Sequence, residues 1–158
     1  MQEFQALFRE SKGRGNKSTV IYGYQQLINN IASSSNYPKW FNQISLNMMI
    51  CGLRNAGFKF NRHNAKTFYI IWDILSDWLP NYGAQEISNS LLALDQMGLR
   101  WRNFDDALQA GLKDSLRRNV ESFNAQGISN TLLALDQMGL RWSNFDPDLQ
   151  PKLMESVR

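Results

Sequence analysis

The chain has one cysteine and one histidine in 158 residues. A single cysteine, Cys51, excludes an internal disulfide. Cys51 and His63 together cannot supply the Cys/His ligand set of an ordinary zinc site. Nor does His63 have neighbours that would complete a Ser/His/Asp or Cys/His nucleophile set. Catalysis, a cofactor and a small-molecule substrate are therefore not expected. No apolar run approaches the roughly 20 residues of a membrane span. Residues 1–10 are amphipathic rather than signal-like. The expected setting is an intracellular, reducing compartment, with delivery into a host cell by a signal-free route left open.

Charge is present but unevenly placed. Residues 1–72 hold nine Lys/Arg against two acids, a net +7, whereas residues 73–158 hold eight against twelve, a net −4. A basic half predicts an anionic partner, either nucleic acid or an acidic protein face. Residues 11–19 contribute Lys12, Arg14 and Lys17 as a polar, basic loop. It is no phosphate loop, because Asn16 separates Gly15 from Lys17 and a helix precedes it.

The dominant feature is a duplication. Residues 84–101 and 125–142 are identical at 16 of 18 positions, 41 residues apart. A fainter copy lies another 41 residues upstream, where Leu46, Ile50, Leu53, Gly57 and Phe60 align with Ile87, Leu91, Leu94, Gly98 and Trp101. This period predicts an all-α fold, a short right-handed α-solenoid of stacked helical hairpins. The units expected are 42–82, 83–123 and 124–158, preceded by divergent N-terminal helices and a degenerate repeat or cap over 1–41.

Each unit carries start and stop signals. In the first helix of the middle unit, Ile87, Leu91, Leu94 and Met97 form one apolar stripe. Tyr82 with Ile87, Phe123 with Ile128, and Phe41 with Leu46 are spaced as hydrophobic staples around the cap positions Gly83, Asn124 and Asn42. Gly57, Gly98 and Gly139 stand where the chain must turn left-handed, each followed by Phe58, Leu99 or Leu140 to cover the helix end. Asn64, Asp105 and Asp146 are expected to cap the second helices, with Pro147 at the first helical position. Thr67, Ile71 and Leu75, then Leu108, Leu112 and Leu116, then Leu149, Leu153 and Val157 are expected to be the buried stripes. Residues 2–10 and 20–33 read as two further helices, and Leu92, Leu133, Trp101 and Trp142 read as core.

The run Ala-Gln-Gly-Ile-Ser-Asn-Thr-Leu-Leu-Ala-Leu-Asp-Gln-Met-Gly over residues 125–139 resembles octotricopeptide-type repeats. It is also similar to the roughly 40-residue tandem repeats of effector-like proteins from bacterial pathogens. The resemblance implies an α-solenoid, with RNA binding in the organellar members and host interaction in the bacterial ones. Leu92 and Leu133 stand where those families have tryptophan. Asp95-Gln96 and Asp136-Gln137 stand where they have Ala-Lys, which removes a cation and adds an anion from each repeat.

The two copies have drifted unequally. Their first halves match at 16 of 18 positions, and residues 102–117 match residues 143–158 at only 8 of 16. The retained polar positions are Gln85/Gln126, Ser88/Ser129, Asn89/Asn130, Asp95/Asp136, Gln96/Gln137 and Arg100/Arg141. A constraint beyond folding is the functional explanation. The candidate ligand contacts are therefore Asn89, Asp95, Gln96, Arg100, Asn130, Asp136, Gln137 and Arg141. Lys12, Arg14, Lys17, Arg54 and Lys59 are candidate basic contacts. Single-stranded RNA is the first expected ligand, and a protein partner is the alternative.

Overall fold

The computed structural model describes residues 2–13 and 15–157. Within them the secondary structure is helical, with no strand. The eight α-helices are α1 (Gln2–Lys12), α2 (Lys17–Ser33), α3 (Gln43–Asn55), α4 (Ala65–Trp78), α5 (Ala84–Gln96), α6 (Asp106–Asn119), α7 (Ala125–Gln137) and α8 (Leu149–Ser156). Short 3-10 turns follow α4 and α6, and two more lie in the links before α6 and α8. No described helix is long and apolar enough to cross a membrane.

The odd-numbered helices pack in chain order, α1 on α3, α3 on α5 and α5 on α7. The even-numbered ones form a second row, α2 on α4 and α4 on α6, with α8 resting on the turn Val120–Ser122 that ends α6. One continuous core runs between the rows, and Trp72, Tyr24 and Phe68 are its largest fully buried side chains. Trp72 packs edge-on against Phe104 at 5.1 Å, joining α4 to the link before α6.

The ends of α3, α5 and α7 are built alike. Gly57, Gly98 and Gly139 have φ of 78°, 88° and 93°. Their N–H groups donate to Arg54, Asp95 and Asp136, while the N–H groups of Phe58, Leu99 and Leu140 reach back to Leu53, Leu94 and Leu135 at 2.9–3.2 Å. That pair of bonds is the Schellman closure, and it satisfies carbonyls a helix end otherwise leaves orphaned. At the starts, Asn42 and Asn124 accept the N–H of Ser45 and Gly127. Gly83 has no side chain to do this; instead Glu86 accepts the Gly83 N–H at 3.0 Å.

Several local expectations are corrected. The loop over 11–19 shrinks, because α1 runs on to Lys12 and Asn16 caps α2 by accepting from Ser18 and Thr19. Asp105 caps α6 through the Leu108 N–H, but Asn64 and Asp146 cap nothing with their side chains. Asn64 instead ties the preceding turn through Asn61 and Lys59, and Asp146 takes Arg117 as an ion-pair partner. α8 accordingly begins at Leu149, after Pro147. Phe68 is buried rather than its neighbour Thr67, while Leu133, Trp142 and Val157 are about half exposed.

Replacing Gly98 with alanine adds a Cβ that meets no neighbour, so only the left-handed backbone opposes it. Gly98→Ala is expected to lower unfolding free energy by about 1–2 kcal/mol, measured as a shifted urea midpoint with an unchanged slope.

Candidate functional site

Helix geometry sorts the retained residues into two groups. Positions 85, 89, 92 and 96 fall at i, i+4, i+7 and i+11 and so share one face of α5. None is buried, and the same holds for 126, 130, 133 and 137 on α7 and for 44, 48, 51 and 55 on α3. Read along each helix, the stripes are Ile44-Met48-Cys51-Asn55, Gln85-Asn89-Leu92-Gln96 and Gln126-Asn130-Leu133-Gln137. Leu92 and Leu133 thus belong to an open face, with Leu133 51% exposed, rather than to the core.

The N-terminal halves of α5 and α7 enclose a groove of about 460 Å³. Gln85, Ser88, Asn89, Gln126 and Asn130 line it, with Phe123 and the cap Asn124 at its end. Ser88 is committed to the fold, donating to the Gly127 carbonyl of α7 at 3.1 Å. Among the described residues, no intramolecular hydrogen bond engages the side chains of Gln85, Asn89, Gln126, Asn130 or Gln137. By contrast, the retained Gln109 and Gln150 of the second helices are used structurally. Gln109 donates to Trp101 and Phe104, and Gln150 to Trp142 and Phe145.

The expected charged contacts gather at the opposite, C-terminal end of these helices. Arg54 donates to the Gln96 side chain at 3.0 Å, and Lys59 to the Gln96 backbone carbonyl at 2.5 Å. Both cations come from the preceding unit and face the negative end of α5. Arg100 lies 3.9 Å from Asp95, whose side chain is only 8% exposed. Burial holds the Asp95 carboxyl above its ordinary range, and the Arg100 guanidinium opposes that rise. Asp136, Gln137 and Arg141 are exposed. Lys17 is spent closing the turn, donating to Ser11 and Gly13 carbonyls at 2.5 and 2.7 Å. Arg14 lies outside the described residues.

A second, smaller pocket of about 240 Å³ joins α1, α3 and α5. Lys12, Arg54, Asn47, Asn55, Asn89 and Phe8 are among its walls. Lys12 sits over the Phe8 ring, 4.4 Å from its centroid. The Cys51 thiol at its base is pushed up by burial, partly offset by Arg54 and then Lys12. Asn89 therefore faces both pockets. Phe8, Asn47 and Asn55 escaped the sequence reading, because α1 has no register partner and α3 has diverged. Comparing open positions at a shift of 41 residues would have found Asn55.

No group of three or more His, Cys, Asp or Glu side chains among the described residues is placed to hold a metal ion. No family profile, curated protein or solved structure matches the chain.

Asp95 supplies a pH test. Its folded pKa is raised, so the folded state holds the proton more tightly than the unfolded chain. Stability is fullest at pH below the unfolded value of 3.8 and falls as pH rises through the folded pKa. Asp95→Asn should stabilise the protein at pH 7 by about 0.5 kcal/mol, the scale of a misplaced charge at a helix terminus. The gain should vanish below pH 3.8, as read by denaturant melts across pH.

Proposed function

We propose that the chain is a short α-solenoid that binds an extended segment of a partner protein across the open stripes of α3, α5 and α7, without catalysing a reaction. The observation carrying this reading is the groove between α5 and α7. It is lined by Gln85, Asn89, Gln126 and Asn130, amides written twice and not engaged by the fold among the described residues. A side-chain amide both donates and accepts, which matches the N–H and C=O of an extended peptide backbone. Such backbone groups need partners when they leave water. The neighbouring Leu92 and Leu133 add apolar area for a side chain of the ligand.

Charge supports the same choice. The stripes of α5 and α7 contain no cation of their own, Arg54 reaches only the Gln96 end of the α5 stripe, and Asp136 lies open beside the α7 stripe. A polyphosphate backbone gains its affinity from cations, whereas a peptide backbone is neutral. Single-stranded RNA is the second reading, favoured by the pocket where Lys12, Arg54 and Phe8 meet. Cations beside an aromatic ring are the elements of a single-strand contact.

The two readings separate in one set of measurements. Twelve-residue peptides selected from a random library on the wild-type protein should perturb the amide resonances of Gln85, Asn89, Gln126 and Asn130. Their affinity should fall at least tenfold on combined Asn89→Ala and Asn130→Ala, with little change in thermal stability. Peptides that bind elsewhere, or an empty selection, would sink the peptide reading. Tight binding of a mixed-sequence RNA pool that weakens steeply between 50 and 200 mM salt would put the second reading in its place.

A further inference from the structure

The pocket between α1, α3 and α5 has a one-sided chemistry. Lys12 and Arg54 both line it, and no carboxylate does. Neither cation joins an ion pair among the described residues. The Phe8 ring holds the Lys12 ammonium 4.4 Å from its centroid, which places the charge without neutralising it. Burial raises the Cys51 thiol at the pocket base, and Arg54 and then Lys12 oppose that rise, so both cations act on the same interior.

The amides of the wall have spent their acceptors. The Asn55 oxygen takes the Arg54 Nε–H at 3.1 Å, and the Asn47 oxygen takes the Ser90 hydroxyl at 2.9 Å. What each has left is its NH2, a donor. Arg54 gives Nη1 to Gln96, and its Nη2 has no partner among the described residues. An ammonium, part of a guanidinium and two amide NH2 groups thus belong to the walls of a space of about 240 Å³. The group that completes such a site carries negative charge and only accepts hydrogen bonds. An ionised side-chain carboxylate does both.

The site lies on the course of the peptide proposed above. Met48, Cys51 and Asn55 belong to the α3 stripe, and Asn89 lines both this pocket and the α5–α7 groove. We propose that the pocket receives an Asp or Glu side chain of that peptide and so fixes which end of it lies over α3. This inference rests on the peptide reading and adds a polarity to it. Charge along the row supports the polarity. Arg54 is the only charged residue of α3, and Asp136 the only one of α7. In α5, Glu86 accepts the Gly83 N–H and Asp95 faces Arg100. An acid is therefore attracted at the α3 end and repelled at the α7 end. A run of phosphates leaving the pocket would meet no cation of α5 or α7 and would pass Asp136. The pocket and the groove lie on either side of α5, about one helix spacing of 8–10 Å apart or more. An extended chain covers that distance in about three residues. The acid is thus expected about three residues from the one held between Asn89 and Asn130.

The test uses the full chain and twelve-residue peptides selected from a random library. Peptides that shift the resonances of Asn89 and Asn130 should carry Asp or Glu at one fixed position. They should also shift the side-chain amides of Asn47 and Asn55. Replacing that acid by its matching amide should weaken binding about tenfold. Lys12 is exposed, so Lys12→Gln should leave the melting temperature unchanged while weakening the acidic peptide and not the amide one. Adding Arg54→Gln should cancel the difference between the two peptides. A preference for the acid that survives both substitutions would overturn the inference. Peptides that bind the groove with no acid preference would overturn it alone, leaving the functional reading in place; an empty selection would sink both. Tight binding of a mixed-sequence RNA pool that is lost on Lys12→Gln would assign the pocket to phosphate and likewise overturn it.

Discussion

The structure depends on how α3, α5 and α7 are stopped. A glycine at positive φ folds the chain back on itself and closes the last turn with two internal bonds. In α5 and α7 the carbonyl just before that glycine is then left pointing outward, where the previous link donates into it. A purely local feature thereby fixes a long-range one, the position of each unit on its neighbour. Apolar packing between the rows is stronger in total, but it has no direction. The backbone bond supplies register, and the polar stripes inherit their alignment from it.

Most of what is local was legible in the letters. Glycine ends, asparagine starts and the leucine stripes depend on residues within one or two turns, and two near-identical copies made them easy to see. Contacts between units were not legible. Asp146 has the spacing of a cap, yet Arg117 from the preceding helix claims its carboxylate. Lys17 has the composition of a ligand contact, yet it closes a turn. Trp101 and Trp142 are the sharpest case, since near-identical surroundings in sequence end in different exposure. A residue's letter and local pattern do not say whether a neighbour stands beside it.

The candidate site was half legible. Unequal drift between the copies pointed to the first helices, and their open faces do carry the retained amides. Asp95, Gln96 and Arg100 of the same set lie at the other helix end, where Arg54 and Lys59 of the preceding unit reach Gln96 and Arg100 faces Asp95. Retained polar residues therefore occupy two kinds of place here. Gln96 meets the preceding unit and Asp95 meets Arg100 of its own, whereas Gln85, Asn89, Gln126 and Asn130 make no side-chain hydrogen bond among the described residues.

The spacing of the amide stripes has a consequence for the shape of whatever crosses them. Neighbouring packed helices lie about 8–10 Å apart, so Asn89 and Asn130 sample a crossing chain at about that interval. A β-strand advances about 3.4 Å per residue and alternates its faces with period two, so it turns opposite sides to successive stripes. A polyproline II segment has three residues per turn at about 3.1 Å each, and it returns the same side at each helix. A segment presenting one side to every stripe would need a repeat close to that interval, a metric set by helix diameter rather than by any one contact.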